Sequence, residues 1–227
     1  MNEIVFPFLR GRRYSLGKLR EFEARLLDAR QDDQAFSADV RGNRMPWAKR
    51  RNEELVPILL LANRKNLDDG DEFKLMCEGH RIDVKLYTGS QTTQYQITLA
   101  YPQWDNATQR TIGGGYQDHL RNELLRCAQP AFGGNNIRKE NGAIVSKPHA
   151  RDIRDDVDAW RHGWIDAIKR KQAHDGAGAT LLIYARLIGF DLIDVDLSEV
   201  VSRAVSNAGA NRFERVCVLD QNFCWEA

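Results

Sequence analysis

The sequence predicts a mixed α/β fold: a central mixed sheet of about five strands flanked by helices, with an N-terminal helix and a Gly-rich insertion. Three observations carry that prediction. Three short runs between Glu72 and Ala100 alternate apolar and polar residues in period two. Apolar residues recur at helical spacing before and after those runs. Ala179 to Leu187 (ATLLIYARL) is a nearly continuous apolar stretch, as in a strand covered on both faces. The 227 residues, 42% hydrophobic and 29% charged, have a globular composition. They are read as a single domain 1–227, with a helical extension over 1–50, a core over 53–220 and an insertion over 101–151.

The first helix is expected from Ser15, which can cap it, to about Phe36, with Leu16, Leu19, Phe22, Leu26 and Leu27 on its apolar side. A second, mostly buried helix is expected over Asn52 to Lys65, with Asn52 as cap. Pro57 is compatible with it only in a first turn, so this helix is either kinked there or begins near Val56. The meander follows. Phe73, Leu75 and Cys77 share a face in its first run, Ile82, Val84 and Leu86 in its second, Tyr95, Ile97 and Leu99 in its third. Its turns are Glu78-Gly79-His80 and Thr88-Gly89-Ser90-Gln91, and the opposite face collects Lys74, Glu78, Asp83, Lys85, Gln96 and Thr98.

The insertion holds two glycine runs (112–116 and 132–136) and a short helix expected near Asp118 to Cys127. Neither run continues into Gly-Lys-Ser/Thr or makes GxGxxG, so a loop or lid is the plainer reading than a phosphate cradle. Tyr101, Trp104 and Tyr116 could stack on bases or pin the loop. From Asp152 to about His174 a long helix is indicated by Ile153, Val157, Trp160, Trp164 and Ile168, and Lys171 continues that inward stripe. After the buried strand, Asp196-Leu197-Ser198-Glu199 is a capping box for a helix closed by Gly209. Phe213 to Leu219 is the last strand, with Phe223 and Trp225 beside it.

Net charge is only +1, yet the first 65 residues hold 14 Lys/Arg against 9 Asp/Glu. Two basic clusters, Arg10, Arg12, Arg13 and Lys49, Arg50, Arg51, are candidate phosphate contacts, or else an ordinary solvated surface. The four cysteines (77, 127, 217, 224) form no CxxC pair, and free thiols are expected. The histidines lack HExxH spacing, no GxSxG elbow occurs, and Asp118-His119 reads as a polar loop pair. No window of about 18 apolar residues exists, and in MNEIVFPFLRGRR the apolar run precedes the charges, the reverse of a secretory leader. A cytoplasmic location and no membrane partner are therefore expected.

A helix leading into a three-stranded meander, then a helix and a buried strand, resembles the restriction-endonuclease-like fold of the PD-(D/E)xK superfamily over residues 53 to 220. The resemblance implies a Mg²⁺-dependent nuclease in which a strand acid, a (D/E)xK triplet and a helix glutamate hold the metal and orient water. Matching positions are Asp83 for the strand acid, Gln96-Ile97-Thr98 for the triplet and Glu54 or Glu53 for the helix acid. The triplet departs from the pattern: glutamine ligates without charge and threonine cannot replace an ammonium. Lys85 and Lys171 are the candidates for the missing cation. If facing residue numbers sum to 181, Lys85 lies opposite Gln96; if they sum to 179, Asp83 faces Gln96. A rival placement, Asp71 with Asp83-Val84-Lys85, would put the triplet on the second strand.

Two functions follow. One is phosphodiester hydrolysis on DNA, in defence or repair, with Glu54, Asp83 and Gln96 as metal ligands and Lys85 or Lys171 as the cation. The other is an inactive nuclease-fold protein that binds nucleic acid or protein. The expected partner is nucleic acid, DNA first, with a homodimer or a protein complex as further assemblies.

Overall fold

The computed structural model describes residues 5–41, 45–100, 137–140, 143–146, 153–172, 178–185, 196–209, 212–220 and 223–226. The Gly runs, the helix expected near 118–127, the aromatics of 101–116, Asp118-His119 and Cys127 lie outside the described residues.

Seven strands form one mixed sheet: β1 (Arg13–Ser15), β2 (Glu72–Leu75), β3 (Val84–Thr88), β4 (Gln91–Ala100), β7 (Thr180–Ala185), β8 (Arg215–Leu219) and β9 (Cys224–Glu226), in that spatial order. A separate hairpin joins β5 (Ile137–Glu140) to β6 (Ala143–Ser146). The sheet thus exceeds the expected five strands, because β1 and β9 extend its two edges. Both are only three residues long, and each pairs antiparallel with its neighbour. The meander β2-β3-β4 is antiparallel, whereas β4-β7 and β7-β8 are parallel. Parallel pairing needs a crossover, which the helices after β4 and β7 supply.

Helix α1 (Leu16–Asp32) starts where expected, with the Ser15 hydroxyl accepting from Lys18 N at 3.2 Å. It stops at Asp33 rather than Phe36, and α2 (Gln34–Arg41) follows. The next helix departs further from the sequence reading. It begins as α3 (Ala48–Arg50), passes through a π turn (Arg51–Leu55) and continues as α4 (Val56–Arg64), where Pro57 sits in the first turn. The wider turn accommodates a residue that brings no N–H. Asn52 is therefore no cap: it is buried, donates to Val40 O and accepts from Arg51.

Two hydrophobic layers flank the sheet. On one face Leu16, Leu19, Leu26, Leu55, Ile58 and Leu61 pack on Phe73, Leu75, Val84, Leu86, Tyr95 and Ile97. On the other, Trp160, Trp164 and Ile168 of α5 (Ile153–Gln172) and Val201 and Ala204 of α6 (Leu197–Ala208) pack on Leu181, Ile183, Val216 and Val218. Strand β7 serves both layers, Leu182 pointing to the first and Leu181 and Ile183 to the second, so its unbroken apolar run is explained. Cys77 does not join the inner face; it lies past the end of β2 and is exposed. Asp196 caps α6 by accepting from Ser198 N and Glu199 N, while Glu199 pairs with Arg203. Gly209 closes α6 at φ +65°, a left-handed conformation that glycine adopts without a Cβ clash.

Candidate functional site

Asp83 immediately precedes β3 and is held by backbone bonds on both sides. Its N–H donates to Tyr95 O (2.9 Å) and its carbonyl accepts from Met76 N (2.9 Å). The β3-β4 ladder pairs Val84 with Tyr95 and Lys85 with Gln94, so facing numbers sum to 179, and Asp83 lies one residue before the ladder begins. Its carboxylate Oδ2 accepts from Ile97 N at 2.7 Å, which fixes the side chain against β4.

The two candidate lysines are placed differently. Lys85 lies opposite Gln94 on β4 and Lys74 on β2, so it does not face Gln96. Lys171, in the last turn of α5, instead places Nζ 3.3 Å from Asp83 Oδ2, with both side chains about three-quarters covered. Asp71 lies elsewhere, in the turn before β2, where its carboxylate accepts from Asp68 N.

Gln96 is buried, because its face of β4 is covered by α5 rather than by solvent. Its amide nitrogen donates to Arg81 O, while its Oε1 is buried without a hydrogen-bond donor. Glu54 comes from the π turn. One carboxylate oxygen accepts from Arg10 (2.7 Å), and Arg10 also donates to the carbonyl of Met76 (2.6 Å), the residue whose N–H donates to Asp83 O. The other oxygen of Glu54 is buried without a donor. Burial pushes the Glu54 carboxyl above the ordinary glutamate range; Arg10 pulls it back in part, and the negative charge of Asp83 adds to the rise. Burial likewise raises Glu53, against the pull of Lys49 and Lys171.

Glu54, Asp83, Gln96 and Lys171 are thus positioned by a π turn, a pre-strand bend, a strand and a helix end. The donor set, two carboxylates and an amide oxygen, is made of the hard oxygen atoms that suit Mg²⁺. Two of those oxygens, Glu54 Oε2 and Gln96 Oε1, are buried acceptors with no donor among the described residues, the condition that a bound cation or its water would relieve.

Within the two basic clusters, four of the six cations have partners inside the chain. Arg10 is committed to Glu54 and Met76. Arg51 forks onto Glu23, with Nε 2.7 Å from Oε1, and both side chains are nearly buried. Arg50 reaches Phe8 O, and Arg13 pairs with Glu72 and lies over the Tyr87 ring at 3.8 Å. Arg12 and Lys49 are the exposed remainder. A folded chain thus spends four of the six cations on internal contacts that a linear count of charge does not show.

The cysteines hold a feature that sequence spacing missed. Cys217 and Cys224, seven residues apart, meet across the β8-β9 hairpin with Sγ···Sγ 3.9 Å. With Glu226 they form the one group of three His, Cys, Asp or Glu side chains among the described residues whose ligand atoms lie within 4.8 Å of one another. The alternation Cys224-Trp225-Glu226, read as a strand folded back on FERVCVL, was the available signal. Among the described residues no helix is long and apolar enough to cross a membrane. No protein-family model matches the sequence, and no curated protein and no solved structure gives a significant match.

Proposed function

We propose that this chain is a nuclease of the restriction-endonuclease-like kind that hydrolyses phosphodiester bonds of DNA with Mg²⁺. The observation that carries the reading is the Lys171–Asp83 pair, beside Glu54 on which the Asp83 charge acts, together with two buried oxygens, Glu54 Oε2 and Gln96 Oε1, that have no donor among the described residues. The element order supports it too: helix, antiparallel meander, helix, then a strand parallel to the last meander strand.

In this reading Asp83, Glu54 and Gln96 hold the metal, and Lys171 takes the place of the triplet lysine. Bound Mg²⁺ supplies Lewis acidity at the phosphate and a more acidic water. Asp83 is held through one oxygen by its bond from Ile97 N. Lys171, beside Asp83, carries the ammonium that offsets charge building on the phosphoryl oxygens. Arg10 holds one oxygen of Glu54 and leaves the other for the metal. Exposed Arg12 and Lys49 are the residues of the two clusters left to meet DNA phosphates, and defence or repair is the setting such an activity fits.

The test is cleavage of supercoiled plasmid and of single-stranded DNA, with calorimetric titration of Mg²⁺ and Mn²⁺, for wild type and Asp83→Asn. Asparagine keeps an acceptor for Ile97 N and removes the charge. Metal binding and cleavage lost together in the variant uphold the reading. A folded wild type that binds neither metal and cuts neither substrate overturns it in favour of a nuclease-fold binding module, in which Lys171 and Arg10 permanently neutralise Asp83 and Glu54.

A further inference from the structure

We propose that the β8-β9 hairpin is a second metal site, for a thiophilic divalent cation with Zn²⁺ as the best fit. Its protein ligands are Cys217, Cys224 and Glu226, with one coordination position open to solvent.

Strand register builds the site. Cys217 of β8 pairs directly with Glu226 of β9, and Cys224 lies two residues before Glu226 on the same face. The three ligand atoms fall within 4.8 Å of one another. Tetrahedral zinc with Zn–S bonds of about 2.3 Å sets its sulfurs about 3.8 Å apart. The observed Sγ···Sγ separation of 3.9 Å matches that edge without movement of either strand.

Exposure gives the site an inside and an outside. Cys217 is buried in the layer formed with Tyr95 and Leu219, while Cys224 and Glu226 face solvent, so a cation entering from that side keeps a water position. Lys65, just after α4, places Nζ 2.8 Å from Glu226 Oε1, which orients the carboxylate and leaves its other oxygen for the metal. Thiols ligate as thiolates, so binding of the metal releases their protons.

The third ligand separates this arrangement from a redox pair. A carboxylate within 4.8 Å of both sulfurs is a third ligand that two cysteines acting only on each other do not use. Beside a divalent cation the same charge is favourable. Two thiolates and a carboxylate select zinc over magnesium, so this site is chemically distinct from the oxygen cluster around Asp83.

The experiment is titration of the reduced, chelator-stripped full chain with Co²⁺, followed by Zn²⁺ displacement. One equivalent of thiolate-bound cobalt is expected, marked by thiolate-to-cobalt charge-transfer absorption and the visible bands of a tetrahedral ion. Cys224→Ser, at an exposed position, should abolish that absorption, and Glu226→Gln should weaken binding by about ten-fold or more. Cys77→Ser and Asp83→Asn should leave it unchanged. The same absorption in Cys224→Ser overturns the proposal. So does a reduced wild type that takes no cobalt, including one that instead closes a Cys217–Cys224 disulfide under peroxide.

Discussion

Lys171 Nζ and Asp83 Oδ2 lie 3.3 Å apart although 88 residues separate them, and the contact joins the end of α5 to the start of β3. In the proposed nuclease it makes Lys171, rather than Lys85, the working cation. Replacing Lys171 by Met should lower the cleavage rate by about 100-fold or more with little change in DNA affinity. Lys171→Arg should recover part of the loss, and Lys85→Met should leave the rate near wild type. Single-turnover cleavage with a parallel binding assay checks all three; a larger loss from Lys85→Met would reverse the assignment.

The helix cap at Asp196 gives a prediction independent of function. Its carboxylate accepts from Ser198 N (2.9 Å) and Glu199 N (3.2 Å), two of the N–H groups that a helix start leaves without partners. Asp196→Ala should cost about 1 kcal/mol and lower the melting temperature by roughly 2–4 °C. Asp196→Asn should cost less, since it keeps the acceptor. Thermal unfolding by circular dichroism measures both, and an unchanged Ala variant would mean that packing of Val201 and Ala204 alone sets the helix.

Why some of this was legible in the sequence and some was not is a matter of range. The caps at Ser15 and Asp196, the meander and the buried β7 depend on residues close in sequence, where period and turn chemistry are readable. Asp83, Gln96, Glu54 and Lys171 could each be named from element order, but the partner of Asp83 could not, because register and the seat of α5 are set by packing. The π turn at Arg51–Leu55 had only Pro57 as its herald. The fate of the arginines was least legible. A run such as Lys49-Arg50-Arg51 looks uniform, yet on a helix its members point in different directions, and Arg51 turns inward to Glu23 while Lys49 stays outside.

That division is itself testable. Glu23→Ala removes the carboxylate under a nearly buried Arg51 and should destabilise the fold by about 3 kcal/mol. Arg12→Ala with Lys49→Ala should leave the melting temperature within about 1 °C, because both side chains are exposed. If these two meet phosphates, the double variant should also reduce the salt dependence of DNA binding, with the log–log slope falling by roughly 2. Fluorescence anisotropy across a salt series reads the slope. An unchanged slope would remove both residues from the interface.

Glu54 links stability to pH, and the sign follows from its burial. Its carboxyl is raised above 4.5 chiefly by desolvation, despite the ion pair with Arg10. A group that holds its proton more tightly in the fold contributes stability below its unfolded value and loses that contribution as pH rises through the folded value. Glu54→Gln cannot ionise and keeps an acceptor for Arg10, so its stability relative to wild type should grow as pH rises from the unfolded glutamate value through the raised folded one. Glu53 titrates in both proteins and largely cancels in the comparison. Melting temperatures of the two proteins across that range, without divalent cations, give the difference directly. A wild type that instead gains on the variant with rising pH would show that Arg10 outweighs burial. Saturating Mg²⁺ should turn the trend round, because a cation beside Glu54 Oε2 favours the ionised form, whereas the neutral amide of the variant offers it no charge. The reversal therefore reads metal occupancy at Glu54 without any substrate.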